Sequence, residues 1–238
     1  MESGYSGQIF FADWLPLMYN AVWTSWQCLF AYALEQDVND EYVYKYPRIY
    51  AAGQKSKYFN KVIFWRWICF SIWHGAVTYF GVIYGMSGPI DSSGLTYSHW
   101  YTSSLAFSII IHIIVLKLFI ESVYWNWVST CTGLICVIIY YASVVILNLD
   151  FLAKVLQPEL EGEYMMMLTN GKAWICMIVL PAVALIPDLT YTLAKRVFYP
   201  TPTDFVMLKQ QKHPNYIYDG FDDVYVPPLP HGIRDEKE

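Results

Sequence analysis

Charge is scarce in this chain, and what there is forms no basic run. Of 238 residues, 15% are charged and 56% hydrophobic, whereas soluble domains carry about 25% charged residues. Water is therefore not its sole solvent. A net charge of −5 without clustered lysine or arginine argues against a nucleic-acid surface. The cysteines Cys28, Cys69, Cys131, Cys136 and Cys176 lack C-x-x-C spacing, so no zinc or redox pair is indicated. Their apolar neighbours predict buried thiols. The first residues, "MESGYSGQIFFADW", have no basic segment followed by an apolar core and a small-residue cleavage site, so they do not read as a signal peptide. The G-x-x-x-x-G-K-[ST] phosphate cradle, the H-E-x-x-H zinc helix and the G-x-S-x-G nucleophile elbow are absent too.

What the chain has is long apolar runs. A bilayer core about 30 Å thick needs about 20 mostly apolar helical residues, since hydrocarbon cannot satisfy free backbone groups. Five segments meet this, near 14–34, 62–84, 101–120, 124–147 and 173–194. Aromatic residues cluster at their ends, as at Trp65 and Trp67, Trp100 and Tyr101, Trp125 and Trp127, and Tyr199, where amphipathic rings favour the headgroup level. The expected fold is an all-α polytopic transmembrane bundle. Its parts are a link over 1–13, a five-span membrane domain over 14–196 with a loop at 35–61, and a partly disordered tail over 197–238. Lys45, Arg48, Lys55, Lys57, Lys61 and Arg66 fall around the first loop, and Lys195, Arg196, Lys209 and Lys212 follow the last span. The loop "GMSGPIDSSGLTYSHW" has none. Positive charge is retained in the cytosol, which predicts an exoplasmic N-terminus and a cytosolic C-terminus. Such an N-terminus without a signal sequence leads us to expect that the chain is the downstream portion of something longer.

Polar groups inside spans are candidates for function. Asn20, Thr24 and Ser25 lie in the first span, and their spacing predicts that Asn20 and Thr24 share a helix face. Hydrogen bonding between helices is the plainer account of all three. His74 and His112 could relay protons, but a lone histidine in a packed bundle is more often a satisfied hydrogen-bond partner. Neither belongs to a convincing metal-ligand set. Lys117 and Glu121, four apart, are accounted for by a helical ion pair or by snorkelling. Pro181 and Pro187 each remove a backbone donor and predict a kinked or locally unwound last span. "MMM" at 165–167 reads as a flexible apolar lead into it.

The first loop carries more information than any span. Asp13 and Trp14, the polar residues Tyr19, Asn20, Thr24 and Ser25, then Gln36, Asp37 and Val38 come first. Tyr46, Pro47 and Tyr50, then Gly53 and Gln54, and finally Phe59 and Asn60 follow in order. This succession resembles the sixth span, cytosolic loop and seventh-span entry of the type-four P-type ATPases, the eukaryotic phospholipid flippases. Glu121 with Tyr124 and Trp125, and Pro187, Lys195, Tyr199 and Pro200, extend the likeness more thinly. The five runs then correspond to the family's sixth to tenth spans. Two departures stand out: Trp26 and Gln27 follow Thr24 and Ser25 where the family usually has T-S-L-P, and Glu35 replaces a usual aspartate.

The resemblance implies an ATP-driven translocase moving an aminophospholipid from the exoplasmic to the cytosolic leaflet. Asn20, Thr24 and Ser25 would lie along the substrate path. Glu35, Gln36, Asp37, Tyr46, Pro47, Gly53, Gln54, Phe59 and Asn60 would form a loop coupled to the phosphorylation domain. ATP and Mg2+ would be bound by an N-terminal part, because the family's D-K-T-G-T and D-G-E-T segments do not occur here, and the chain alone is expected to hold no catalytic or metal site. Implied partners are phospholipid, the membrane, the remainder of the pump and a small two-span beta-subunit. The implied location is a eukaryotic plasma, Golgi or endosomal membrane. Two rival readings are a non-catalytic membrane scaffold or regulatory remnant, and a channel or secondary transporter using His74 and His112.

Overall fold

The structure, a computed structural model, describes residues 7, 9–50, 53, 59–88, 96–123, 127–147 and 158–212. Most of these are helical, with no strand among the described residues. The elements are α1 (Trp14–Met18), a π-helical turn (Tyr19–Trp23), α2 (Ser25–Leu34), α3 (Asp40–Lys45), a 3-10 turn (Pro47–Tyr50), α4 (Lys61–Gly85), α5 (His99–Glu121), α6 (Trp127–Leu147), a 3-10 turn (Pro158–Leu160), α7 (Glu163–Thr169), α8 (Gly171–Phe198) and α9 (Pro202–Lys212). Two compact units result: Met1–Leu34 with Phe70–Asp188, and Glu35–Cys69 with Leu189–Glu238.

In the first unit α5 is the core helix. Eleven of its residues between Tyr101 and Val115 are buried, so apolar side chains surround it on every side. Ser98 starts it: the hydroxyl accepts from the Tyr101 N–H at 3.0 Å and donates to Glu163 at 2.6 Å, joining the cap to α7. Trp23 fills the space beside Phe107 and Tyr140 edge to face, with centroids 5.7 and 5.0 Å away. Its indole N–H donates to Ser143 at 2.9 Å, which satisfies the polar end of a side chain only 1% exposed.

α4 and α8 run antiparallel within this unit. Gly85 faces the Cys176 sulfur, Gly81 faces Leu180, and His74 meets Asp188, so each step along α4 is matched by an opposite step along α8. Glycine at 81 and 85 lets the two backbones approach, as small residues four apart do in membrane helices.

Four helices, α4, α5, α6 and α8, are long and apolar enough to cross a membrane. On α4, Phe64, Trp65, Ile72, Trp73, Phe80 and Tyr84 are exposed. Such surfaces suit hydrocarbon or further helices and not water. The 14–34 run differs from the single expected helix. It is helical in three pieces, because the Thr24 hydroxyl and N–H both bond to the Tyr19 carbonyl, at 2.8 and 3.1 Å, and widen the turn.

Other expectations also change. α8 continues through Pro181 and Pro187 without unwinding. Each proline lacks the donor that the carbonyl four residues earlier, Met177 or Val183, would otherwise receive. The methionine run is no flexible lead but part of α7, with Met167 buried. Of the cysteines Cys136 alone is buried; Cys69 and Cys131 are exposed, on surfaces that hydrocarbon can cover as well as protein can. Tyr124, Trp125 and most of the 87–96 loop lie outside the described residues, as does the tail beyond 212. The start of that tail folds as α9.

Candidate functional site

The π turn rearranges the three residues expected on the substrate path. Thr24 is 8% exposed and its hydroxyl is held by the Tyr19 carbonyl. Asn20 is exposed, and so is Ser25, whose hydroxyl donates to the Ala21 carbonyl at 3.1 Å. A turn with i to i+5 bonding places residues five apart in register. Asn20 and Ser25 thus form the exposed polar pair, and the predicted shared face of Asn20 and Thr24 does not occur. Gln27, where the resembling family has proline, turns inward. It is 1% exposed, its amide donates to the Val115 carbonyl at 3.3 Å, and its Oε1 is buried without a partner.

The loop residues come together in the second unit. Asn39, in extended conformation, precedes α3, whose first turn carries Asp40 and Glu41 and whose last carries Lys45, the order that the helix dipole favours. Val38, Tyr42 and Val206 are buried against Val43, Tyr46, Ile49 and Met207. α9 therefore completes the core beneath the loop. Gln210 accepts from the Asn39 N–H at 3.0 Å, and Lys209 donates to the Tyr46 hydroxyl at 3.2 Å while lying 4.9 Å from that ring's centroid. No sequence periodicity pointed to α9 as the loop's partner, because the contact spans more than 160 residues. Arg66 donates to the Tyr191 hydroxyl in the same unit and stacks its guanidinium 4.3 Å from that ring's centroid.

A cavity of about 360 Å³ opens in this unit, lined among others by Glu35, Gln36, Asp37, Asp40, Gly53 and Thr203. Burial pushes the Asp37 carboxyl up from its ordinary value, and the nearby Glu35 and Asp204 push it further. The cavity thus concentrates negative charge. Four expected coupling residues, Glu35, Gln36, Asp37 and Gly53, line it, and Tyr46 packs beneath. Pro47 opens the 3-10 turn. Asn60 accepts from the Ile63 N–H at 2.9 Å and so starts α4, while Phe59 is exposed. Gln54 lies outside the described residues.

Within the first unit, ionisable residues of the long helices form two further sites. His112 donates through Nδ1 to the Ser108 carbonyl at 2.7 Å, the satisfied role expected of it. His74 donates through Nε2 to Asp188 Oδ2 at 2.7 Å, and Lys117 donates to Asp188 Oδ1 at 2.6 Å. Asp188 is not among the residues that sequence spacing singles out. A single acid directly after a proline in an apolar run was the signal that could have found it. No group of three or more His, Cys, Asp or Glu side chains able to hold a metal occurs among the described residues.

Known proteins give this geometry its setting. Residues 1–201 match the family described as Phospholipid-translocating P-type ATPase C-terminal. Phospholipid-transporting ATPase C887.12 of Schizosaccharomyces pombe is 25% identical over 86% of this chain and 16% of its own length. Phospholipid-transporting ATPase DRS2 of Saccharomyces cerevisiae is 26% identical over 89% of this chain and 16% of its own length. Human phospholipid-transporting ATPase IH is 24% identical over 87% and 18%. The chain thus spans under a fifth of the length of these relatives. Its helices, its loop and its matched length place one conclusion beyond the individual residues: this chain belongs to the C-terminal family of phospholipid-translocating P-type ATPases.

Proposed function

We propose that this chain serves as the C-terminal membrane part of an ATP-driven pump that moves a phospholipid between leaflets. The observation that carries the reading is the family match across residues 1–201. The relatives named above are phospholipid-transporting ATPases, and the four long apolar helices suit an integral membrane protein. ATP and Mg2+ act elsewhere in such a pump. Their cycle must supply a difference in lipid affinity between two conformations, and this chain's part is to convert that difference into movement.

In this reading Asn20, with Ser25 beside it, contacts the phospholipid headgroup, while Thr24 maintains the break that exposes them. The acidic cavity around Glu35, Asp37 and Asp40 meets the ATP-driven machinery on the cytosolic side. The 14–34 run crosses the bilayer as a fifth, interrupted span. The loop between α4 and α5 faces outward, where a two-span accessory subunit would dock.

Asn20→Ala in the full-length protein that contains this chain tests the site. Lipid-stimulated ATP hydrolysis should fall, by on the order of tenfold if the amide contacts the headgroup in the transition state, with basal hydrolysis retained. Unchanged lipid dependence would remove Asn20 from the path.

A further inference from the structure

Asp188 is 1% exposed and sits between two cationic or potentially cationic side chains on two other helices, each 13% exposed. Its two oxygens are used separately: Oδ2 accepts from His74 of α4 and Oδ1 from Lys117 of α5. Lys117 also lies 5.5 Å from the centroid of the Phe70 ring on α4. With His74 neutral, the aspartate and lysine charges cancel, and the imidazole contributes a hydrogen bond without adding charge. A buried carboxylate in an apolar helix is tolerable only when paired in this way.

Its position along α8 is equally informative. Asp188 directly follows Pro187, which supplies no N–H to the Val183 carbonyl, so α8 is held from outside next to one of the two points where its own ladder lacks a bond. On one side of this point the helix is packed closely on α4 through Gly81 against Leu180 and Gly85 against Cys176. The three contacts share one antiparallel register, and Asp188 is its polar end.

We propose that Asp188 is a positioning residue for phospholipid transport: shared between His74 and Lys117, it fixes the register of α8 on α4 and α5 beside Pro187, and the transport cycle depends on that register. This rests on the pump reading above. The polar anchor is needed because apolar contacts alone slide readily, whereas a carboxylate with two fixed donors accepts one alignment. Asp188 is 1% exposed, closed off from a lipid at the surface, so the proposal assigns it an effect on turnover and not on lipid affinity.

The test uses the full-length protein containing this chain, with Asp188→Asn, Asp188→Glu, Lys117→Met and the double variant Lys117→Met with Asp188→Asn. One readout is the rate of alkylation of the Cys176 thiol, resolved at that residue by mass spectrometry. The other is lipid-stimulated ATP turnover per folded molecule, with phosphatidylserine and phosphatidylcholine vesicles as probes. Asp188→Asn should speed Cys176 alkylation several-fold and lower kcat by on the order of tenfold or more, as misplacement by about 1 Å can, leaving lipid KM within about twofold. Asp188→Glu should recover part of both. The double variant should protect Cys176 better than Lys117→Met, because no buried charge is left alone.

Wild-type protection of Cys176 in Asp188→Asn overturns the register. Faster alkylation with normal kcat reduces the pairing to stability alone and overturns the positioning role. If the wild-type protein shows no lipid-stimulated turnover with either vesicle, the pump reading fails and the positioning role falls with it, while the alkylation arm still decides whether Asp188 sets the register.

Discussion

At the scale of single residues, polar atoms inside apolar surroundings decide most of what is specific here. Gln27 is the sharpest case: its amide nitrogen has the Val115 carbonyl, but its Oε1 is buried and unpaired. A buried unsatisfied acceptor costs about 1–3 kcal/mol. Gln27→Leu, of similar volume, should therefore be neutral or raise the melting temperature in detergent, and a clear loss of stability would mean that Oε1 has found a partner. Asp37 leads to a pH dependence of opposite sense to a salt-bridged acid. Its folded-state carboxyl is raised above the ordinary 3.8, so its ionisation opposes folding, fully so above the raised value. That opposition is relieved as pH falls through the raised value toward 3.8. Asp37→Asn should accordingly make the loop region more resistant to proteolysis at neutral pH, with the gain shrinking on acidification. A gain that grew as pH fell would contradict the cause assigned to the shift.

At the scale of elements, each long helix is fixed by a few local devices. α5 begins at Ser98, which both caps the Tyr101 N–H and donates to Glu163. Removing such a cap costs about 0.5–2 kcal/mol. Ser98→Ala should cost that much or more, because Glu163 Oε2 already lacks a partner and Oε1 would lose its donor. Thermal unfolding of the variant measures this, and an unchanged midpoint would show that water replaces the hydroxyl. The α4 and α8 pair depends on the missing side chain at Gly81, where even a Cβ would press on Leu180. Gly81→Leu should part the helices at an overpacking cost of about 1–3 kcal/mol, read as a lowered melting temperature. Gly75, on the same helix with nothing near its missing Cβ, should accept alanine and serves as the control.

At the scale of the whole molecule, the apolar outer faces of α4, α6 and α8 and the distribution of lysine and arginine belong together. Positive residues lie within the 35–61 loop, in the last turn of α8 and in α9, and the loop from 85 to 100 has none. That asymmetry predicts opposite sides for these segments. An N-glycosylation acceptor introduced with flexible flanks into the 88–96 loop should be glycosylated in eukaryotic membranes, whereas one placed near Asn39 should not. The reverse pattern would invert the orientation and send the acidic cavity to the exoplasmic side, against the role proposed for it.

Composition and run length by themselves determined the helical class and the apolar runs, because transfer of about 20 residues into hydrocarbon depends on their chemistry and not on their neighbours. The order of the loop residues likewise points to the family without any tertiary information. Spacing could not determine which polar groups would meet. Asn20 and Thr24 part because one hydroxyl competes for the Tyr19 carbonyl and widens the turn. α9 reaches the loop, and Asp188 reaches Lys117 across 71 positions, through packing that no local period encodes. The chemistry available to this chain was therefore written in its residues, but only the tertiary structure decided which charges would be paired and which amides left facing outward, since burial and hydrogen-bond geometry exist only once the helices have met.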